Sequence, residues 1–423
     1  MYCEHGVVSD VEVIRPMTTQ EPLVLRGRIW TGAGAAHALV EDGVIEVSAG
    51  TIRCVRPAES TDAPAELDQY GRPHTFLPGL VDLHNHGGGG HSFPTSDADG
   101  CGIAAQHHRS RGTTTLLASL VSAEGPALVR QAGVLSQLAE EEMVSGIHLE
   151  GPFLSSRRRG AHDPAALVPG DPELLLRIIE AARGHLRSIT IAPETDNLQK
   201  LLQVCSDHRV MVSLGHSDAS VAETEDALEA ASAAGVAVTA THLFNAMPAL
   251  DHRDPGIAGA LLRAAAEGRL VAELVADGVH LDDVMVAIAL SAAPAQIAFV
   301  SDAMAAAGMK DGTYTLGDSA VVVRDAVARL AAPPGQPAAL AGGTSALVDQ
   351  VIRHAGEVLL SERIKSSAEI SRAARVVRAC TQTPAQVIGL NDRGLLAPGL
   401  RADVVQLDSQ GKVSRVLTGG RAQ

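Results

Sequence analysis

Eight short apolar segments recur between about residues 76 and 304, and most are followed by a turn and an alanine-rich segment of helical character. Strands that alternate with helices indicate βαβ units and a parallel sheet. Eight such units predict an α/β protein built as a (β/α)8 TIM barrel. The segments are FLPGLVDLHNH, TTTLLASLVS, SGIHLEGPF, SITIAPE, VMVSLGHSD, AVTATHLFN, LVAELVADGVH and IAFVSDAM.

The two ends of the chain have a different pattern. LVLRGRIWTG and GVIEVSAGTIRCV near the start, and GLLAPGLRADVVQLD and KVSRVLTGG near the end, have β character. We predict that they pair as a small β-sandwich domain of residues 1–76 and 385–423, beside a barrel of residues 77–384. The Ala-, Val- and Pro-rich segment 318–337 fits neither pattern, and one interpretation is a hairpin inserted after the eighth strand.

Charge and cysteine usage restrict the partners and the compartment. The net charge of −15 disfavours nucleic acid and anionic membranes as partners, so an anionic substrate would need a few local basic groups. Charges and prolines interrupt every apolar run that could span a bilayer, and the first 20 residues lack the apolar core of a signal peptide. Five scattered cysteines without CxxC spacing predict reduced thiols in a cytoplasmic protein.

Polar side chains gather at the carboxyl ends of the predicted strands, where a barrel of this type builds its active site. His84 and His86, at the end of the first strand, are two residues apart and therefore face the same way. Imidazole and carboxylate ligands suit zinc and other borderline divalent metals. The candidate ligands are His84, His86, Glu150, His216, His242 and Asp302.

Six ligands are too many for one tetrahedral ion but would serve two ions bridged by Glu150. A lone buried histidine is more often structural, and we assign that role to His148, two residues before Glu150. Asp302 has two candidate roles, as a ligand and as the general base toward metal-activated water. The alternative for Asp302 is a helix N-cap, which would leave its grouping with the other ligands unexplained.

The motifs resemble those of N-acetylglucosamine-6-phosphate deacetylases of the amidohydrolase superfamily, in the right order from about residue 22 onward. The HxH pair alone would mark only the superfamily, whereas HLEGPF, GAH, LGHS, THLFNAM and DGVH are specific to this branch. The complete set is PGLVDLHNHG, HLEGPF, GAHDP, LGHSDA, THLFNAM, DGVH, VSDAM and LAGGTSAL.

The resemblance implies a barrel with a β-sandwich, usually as a homodimer. It implies metal ligation by Glu150, His216 and His242, a second metal on His84 and His86 where the branch keeps both histidines, and Asp302 as catalytic acid/base. One or two divalent cations are expected, zinc first, with iron, manganese and cobalt also compatible. The implied substrate contacts, with Arg253 reaching the phosphate in the neighbouring subunit, are Ala161, His162, Asn245, Ala246, Arg253, His280, Leu340, Ala341 and Gly342.

The implied reaction is metal-dependent hydrolysis of N-acetylglucosamine 6-phosphate to glucosamine 6-phosphate and acetate. N-acetylgalactosamine 6-phosphate is an alternative substrate, since one hydroxyl's orientation separates the two sugars. Dihydroorotases and hydantoinases often bridge two metals through a carboxylated lysine on strand four, and SITIAPE has no lysine. A nucleobase deaminase would need aromatic residues, which are only 2% of the chain. A non-catalytic sugar-phosphate sensor would be expected to have lost a ligand or Asp302.

Two further features have alternative interpretations. The loop after the third strand contains three consecutive arginines, Arg157, Arg158 and Arg159. They either are solvated loop residues or form a positively charged surface at the barrel mouth that attracts phosphate. Cys101 is a buried small residue or an oxidisable thiol near the mouth of the barrel.

Overall fold

A computed structural model describes residues 23–34, 37–333, 338–363 and 366–423. Cys3 and the first part of the predicted chain-end domain lie outside these ranges. The described strands are β1 (Leu23–Trp30), β2 (Leu39–Ser48), β3 (Thr51–Pro57), β4 (Thr75–Pro78), β5 (Leu80–Asn85), β6 (Gly87–Gly88), β7 (His91–Ser92), β8 (Thr113–Leu120), β9 (Gly146–Glu150), β10 (Leu186–Ile191), β11 (Met211–Leu214), β12 (Val238–Ala240), β13 (Val271–Leu274), β14 (Ile297–Phe299), β15 (Gly312–Leu316), β16 (Ser319–Arg324), β17 (Val327–Leu330), β18 (Val404–Leu407), β19 (Val413–Thr418) and β20 (Arg421–Ala422).

The helices mostly follow the barrel strands, as the alternation predicts. They are α1 (Ala98–Ser110), α2 (Gly125–Glu140), α3 (Pro172–Ala181), α4 (Leu198–His208), α5 (Val221–Ala233), α6 (Gly256–Ala266), α7 (Asp283–Ala292), α8 (Leu347–Leu359), α9 (Ser367–Ala379) and α10 (Gln382–Val387). Local sequence sets several of their starts: Ser220 and Glu223 form a capping box at α5, and Asp171 caps α3 ahead of a proline. Among the helices of the described ranges, none combines the length and hydropathy that a membrane crossing requires.

The central feature of the described chain is a parallel sheet in the order β14-β13-β12-β11-β10-β9-β8-β5. All eight segments expected to be barrel strands contribute to it. The backbone N–H of Asp302 donates to His84 O (2.9 Å), and His86 N–H donates to Ala303 O (2.7 Å). These bonds join the segment after β14 to β5, so the predicted (β/α)8 barrel is confirmed.

Burial explains why the barrel strands lack an alternating pattern. Every residue of β8 (TTTLLASL) is buried, because one side faces the barrel interior and the other faces helices. Small aliphatic residues dominate the shared core: β12 contributes Val238 and Ala240, and α6 contributes Ala258, Leu261 and Ala264. Such side chains allow close packing of helices on the sheet, so the core needs few aromatic residues.

The two chain ends meet in a second sheet with the order β20-β19-β18-β4-β1-β2-β3. Strand β4 pairs with β1 from the start of the chain and with β18 from its end. A separate apolar cluster that includes Ile29, Ile45, Phe76 and Val404 stabilises this sheet. The expectation of an additional β domain built from both ends is therefore confirmed, while its boundaries stay a prediction.

A three-stranded antiparallel sheet, β15-β16-β17, follows the eighth barrel strand. We call residues 312–330 the flap. Its Leu316 and Val321 pack with Val121 and Met304, which follow two barrel strands, in a cluster of their own. The hairpin interpretation agrees with this sheet for residues 318–330, and residues 334–337 lie outside the described ranges.

Candidate active site

Five barrel strands end in the six candidate ligands, which converge in two groups. The first group is His84, His86 and Asp302, and the second is Glu150, His216 and His242. In each group the ligand atoms lie within 4.8 Å of one another, and all six side chains are buried. Spacing along the chain therefore predicted side chains that the barrel brings together in space.

In the second group, Glu150 Oε1 lies 3.0 Å from His216 Nε2 and 3.1 Å from His242 Nε2. The two imidazole Nε2 atoms are themselves 3.0 Å apart. Both histidines have positive φ, 47° at His216 and 28° at His242. Such backbone angles are costly for residues with a side chain, and they are typical of functional sites whose geometry the surrounding structure imposes.

In the first group, His84 Nε2 and His86 Nε2 are 3.0 Å apart. Asp302 Oδ1 lies 3.5 Å from the former and 3.3 Å from the latter. Glu150 connects the groups, because its second oxygen, Oε2, lies 3.2 Å from His86 Nε2. This position agrees with the bridging role expected for Glu150.

The hydrogen-bond partners of the imidazoles show which nitrogens face the site. Nδ1 of His84 donates to Glu273 Oε2 (3.3 Å), that of His86 to Ser119 O (3.2 Å) and that of His216 to Arg158 O (2.9 Å). Their Nε2 atoms then carry lone pairs. Two imidazole nitrogens whose lone pairs face each other at 3.0 Å need a proton or a metal ion between them, and this donor set fits a divalent metal.

Charge in the site also favours a cation. Burial opposes ionisation of Glu150 and Asp302, yet the pKa of each carboxyl lies below its usual range because His84 and other imidazoles are close by. Burial likewise acts to lower the pKa of His84, but the carboxylates of Glu150 and Asp302 outweigh it and raise that pKa. Both carboxylates are therefore ionised at neutral pH and attract positive charge.

A cavity of about 240 Å³ opens onto the two groups, and most of the predicted substrate contacts line it. His84 lies behind His86, fully buried. Ala341 is buried in the flap cluster, and Arg253 is on an exposed loop; neither lines this cavity. The lining residues are His86, Glu150, Gly160, Ala161, His162, His216, His242, Asn245, Ala246, His280, Asp302, Leu316, Ala339, Leu340 and Gly342.

Two histidines of the cavity are held by specific partners. His162 Nδ1 accepts a hydrogen bond from the backbone N–H of Ser122 (3.2 Å), and burial lowers its pKa to about 4. His280 Nδ1 donates to Asp277 Oδ2 (2.9 Å), and its Nε2 lies 3.8 Å from Asp302 Oδ2. Both imidazoles therefore have a defined orientation toward the reacting groups.

Sequence reasoning missed Glu273, Asp277 and Asp82, three acidic residues that support the site. Glu273 contacts His84, Asp277 holds His280, and Asp82 accepts from Ser301 Oγ (2.6 Å) across the seam between β5 and the segment after β14. For Glu273 and Asp82 a signal was present: Glu273 is an acid inside an otherwise apolar strand, and Asp82 follows and precedes apolar residues in β5. Such residues are buried only when paired.

His148 has the structural role expected of it. Its Nδ1 is 2.9 Å from Ser119 Oγ, and its Nε2 is 2.9 Å from Thr190 Oγ1, so both ring nitrogens have hydroxyl partners on neighbouring strands. Burial and the nearby imidazole of His84 hold its pKa well below the usual value. His148 is therefore a neutral side chain beneath the ligand groups.

The first two glycines after His86 pack closely against neighbouring residues. A Cβ at Gly88 would lie 2.6 Å from His108 Nε2 and 2.9 Å from His107 Cδ2, and one at Gly87 would lie 2.2 Å from His91 O. The space is filled by α1 and by β7. Glycine is needed here for the close approach of backbone and helix.

Both remaining alternatives favour a structural interpretation. Asp218 pairs with Arg157 (3.3 Å) and Arg158 (2.7 Å), so one carboxylate offsets one of the three positive charges and holds two of the arginines in place. Cys101 is fully buried in α1, and burial raises the pKa of its thiol to about 12. A thiol in that environment is unreactive.

A larger cavity, of about 510 Å³, lies beside the flap and shares Ala161, His162 and Leu316 with the smaller one. It contains neither group of candidate ligands. The chemistry therefore belongs to the smaller cavity.

The comparison with known proteins agrees with this geometry. The family model described as "Amidohydrolase family" matches residues 75–422, which is most of the chain. The chain belongs to the amidohydrolase family. This amidohydrolase is 30% identical over 390 residues to the N-acetylglucosamine-6-phosphate deacetylase of Bacillus subtilis (strain 168), a match that covers 89% of the chain and 91% of the relative.

Two further proteins extend the comparison. The N-acetylgalactosamine-6-phosphate deacetylase of Escherichia coli O157:H7 is 30% identical over 389 residues, covering 90% of this amidohydrolase and 95% of the relative. A mutant N-acetyl-D-glucosamine-6-phosphate deacetylase from Mycobacterium smegmatis, solved in complex with N-acetyl-D-glucosamine-6-phosphate, superimposes with a TM-score of 0.83 at 33% identity, covering 95% of this chain and 99% of that one. The resemblance predicted from the motifs is therefore confirmed.

Proposed function

We propose that this protein hydrolyses the acetamido group of N-acetylglucosamine 6-phosphate and releases glucosamine 6-phosphate and acetate. The observation that carries the proposal is the convergence of two His/carboxylate groups on one small cavity, together with two further histidines, His162 and His280. That arrangement occurs in a chain similar over most of its length to N-acetylglucosamine-6-phosphate deacetylases.

Amidohydrolase membership implies a divalent metal, and both ligand groups fit one. We propose Glu150, His216 and His242 as one set of ligands and His84, His86 and Asp302 as the other, with Glu150 between them. When bound, such a cation polarises the amide carbonyl and lowers the pKa of water. Zinc suits the nitrogen-rich donor set best, and iron, manganese and cobalt accept the same ligands.

In the proposed reaction Asp302 moves the proton. Its ionised carboxylate takes a proton from the attacking water as the water oxygen bonds to the carbonyl carbon. It delivers that proton to the amide nitrogen as the C–N bond breaks, so the amine leaves neutral. Asp302 has positive φ (47°), and its backbone N–H is bonded to His84 O, so the carboxylate is held by the barrel seam.

His280 and His162 are proposed to contact the acetamide and the sugar. The Asp277 carboxylate keeps a proton on His280 Nδ1, and the Nε2 edge of that ring lies beside Asp302. When Nε2 is protonated as well, this ring would donate to the negative charge that develops on the carbonyl oxygen. Asn245, Ala246, Ala161, Leu340 and Gly342 complete the proposed sugar contacts, with Ala341 behind them in the flap cluster.

The phosphate requires positive charge, and the chain as a whole is acidic, at −15. We propose a homodimer in which Arg253 of one subunit reaches the substrate bound by the other. Arg253 is exposed, and among the described residues no carboxylate pairs with its guanidinium. A guanidinium left unpaired on an exposed loop is free to bind a phosphate bidentately.

The E. coli relative makes N-acetylgalactosamine 6-phosphate a second candidate substrate. A deacetylation assay on both sugar phosphates and on their unphosphorylated forms, with metal analysis of the same sample, tests the proposal. We expect the glucosamine derivative to react with the higher kcat/KM and phosphate to be required. Equal rates with and without phosphate would overturn the role given to Arg253, and failure of all N-acetyl sugars would overturn the activity.

We place the enzyme in the cytoplasm, since the described cysteines, Cys54, Cys101, Cys205 and Cys380, are free thiols.

A further inference from the structure

Glu273 is a buried acid to which the proposed reaction assigns no role. It lies in β13 (Val271–Leu274), whose other residues are apolar, and its exposed fraction is 1%. Burying a carboxylate in such surroundings is costly unless donors or cations compensate it. Its position therefore needs a specific explanation.

The donors that reach this carboxylate connect it to the candidate ligands. Glu273 Oε2 accepts from His84 Nδ1 at 3.3 Å and from the backbone N–H of His242 at 3.3 Å. Its own backbone carbonyl accepts from Leu243 N–H (2.8 Å). Glu273 thus contacts one residue of each ligand group from outside the cavity.

The other imidazoles have weaker outer partners. His86 and His216 donate from Nδ1 to neutral backbone carbonyls, and His242 Nδ1 has no partner among the described residues. Of the four imidazoles in the two ligand groups, only that of His84 donates from Nδ1 to a carboxylate among the described residues. A carboxylate behind a ligating imidazole holds the proton on Nδ1, fixes the ring and makes Nε2 a stronger electron-pair donor.

The number of negative charges also favours a cation bound near His84. Glu150, Asp302 and Glu273 bring three carboxylates to a site whose ligands are buried. One divalent cation would leave one of these negative charges uncompensated, whereas a second cation in the group of His84, His86 and Asp302 would remove that deficit. Uncompensated charge is least tolerated where water is excluded.

We propose that Glu273 is a positioning residue: it orients the His84 ring and strengthens Nε2 of His84 as a ligand of the cation in the His84–His86–Asp302 group. The inference rests on the metal-dependent hydrolysis proposed above. In this proposal Glu273 strengthens cation binding by the His84–His86–Asp302 group. The group of Glu150, His216 and His242 binds the first cation without it.

Cation binding to the metal-stripped protein tests this without any sugar. Calorimetric titration with Zn²⁺ or Co²⁺ should give two cations per protomer for the wild type. In Glu273→Gln, which keeps the shape and removes the charge, the weaker site should lose roughly 10- to 100-fold in affinity while the tighter site is unchanged. The visible spectrum of the Co²⁺ protein should lose the contribution of the second ion at concentrations that fill the first.

Asp403→Asn is the matched control, because Asp403 is also a buried carboxylate (3% exposed) but belongs to the chain-end sheet region and pairs with Arg401. It should bind both cations as the wild type does. If Glu273→Gln does not fold, Glu273→Asp replaces it, since the shorter side chain keeps the charge but withdraws it from His84; a weakened second site supports the proposal there as well.

Three results would overturn the inference: one cation per protomer in the wild type, unchanged affinity at both sites in the folded variant, or equal weakening of both sites. A wild type that binds two cations but hydrolyses no N-acetyl sugar phosphate would overturn the proposed function and leave the role of Glu273 standing.

Discussion

At the scale of single residues, Glu150 is the point where the two ligand groups meet. One of its oxygens lies about equally far from His216 and His242, and the other faces His86 and His162. A carboxylate offers lone pairs on two adjacent oxygens, whereas a neutral imidazole offers one lone pair. The bridging position therefore calls for an acid, and its place at the end of β9, between β8 and β10, makes both groups accessible to it.

Asp302→Asn should abolish most turnover without loss of the fold. The amide cannot take and return a proton, and general acid–base catalysis contributes about 10²- to 10⁴-fold. We expect kcat to fall by roughly that factor, while most of the bound metal is retained through the other five ligands.

Steady-state kinetics on N-acetylglucosamine 6-phosphate, with metal analysis of each preparation, measure the effect. Asp318→Asn, in the turn of the flap, is the control and should keep its activity. Activity close to that of the wild type in Asp302→Asn would contradict the assigned role.

At the scale of elements, the turn after β5 and helix α1 are fitted to each other. The glycines after His86 approach the imidazoles of His107 and His108 so closely that a Cβ at Gly88 would collide with both rings. His108 Nε2 also donates to Gly87 O (2.9 Å). The turn that follows the HxH pair is therefore part of the support of the site and leaves the substrate space to other loops.

Gly88→Ala should destabilise the protein by about 1–3 kcal/mol, because overpacking forces side chains or backbone to shift. Denaturant unfolding of the metal-loaded protein measures the loss. Gly133→Ala is the control, because Gly133 lies within α2 and an added Cβ would have no neighbour within 4 Å. Alanine there should raise the free energy of unfolding by at most about 1 kcal/mol. A Gly88→Ala protein as stable as the wild type would contradict this, because it would show that α1 can shift to accept the methyl group at little cost.

The contact between the glycine turn and the two histidines of α1 should also make stability depend on pH. Burial lowers the pKa of His108, and that of its neighbour His107, from 6.5 to about 4. Between these pH values the unfolded chain binds protons that the folded protein does not. The stability contributed by the neutral rings is therefore complete above about pH 6.5 and is lost as the pH falls toward 4.

We expect the free energy of unfolding to fall between pH 6.5 and pH 4, and to fall less in His108→Gln, which has no ionisable ring. Urea titrations at several pH values, on wild type and variant in parallel, measure the difference. Identical slopes in the two proteins would exclude His108 as a source of the effect.

At the scale of the whole molecule, the candidate metal ligands also lie where the barrel closes. Asp302 and His84 lie on the two sides of the barrel seam, and their backbones bond to each other there. A ligand that binds only the folded state stabilises it in proportion to the logarithm of its concentration over Kd. Cations that join these two edges should therefore contribute to stability as well as to catalysis.

Chelation should lower the unfolding temperature and abolish activity together. Without cations, the carboxyl groups of Glu150, Asp302 and Glu273 share a buried space with the imidazoles. Calorimetry before and after treatment with a chelator, then after restoring Zn²⁺, measures the effect, and both properties should return. An unchanged unfolding temperature in protein shown to be metal-free would contradict a stabilising role.

The sequence predicts those features of the fold and site that depend on residues close together along the chain. The barrel strands were predictable because apolar runs, turns and helical segments alternate locally. The six candidate ligands were predictable because parallel strands place their carboxyl ends at one edge, so position along a strand translates into position in space. Glu273 and Asp82 went unassigned, because an acid within a strand acquires meaning only from the neighbour it pairs with.

The sequence by itself determined the class of fold and the family, and it indicated the candidate metal ligands, since these depend on residue type and spacing. Only the tertiary structure decided that the glycine run packs on His107 and His108, that Glu150 faces both ligand groups, and that Glu273 contacts His84 from a strand 189 residues downstream. The physical reason is that hydrogen bonds and van der Waals contacts act over a few ångströms. Which side chains come within that range depends on how the barrel closes between β5 and the segment after β14.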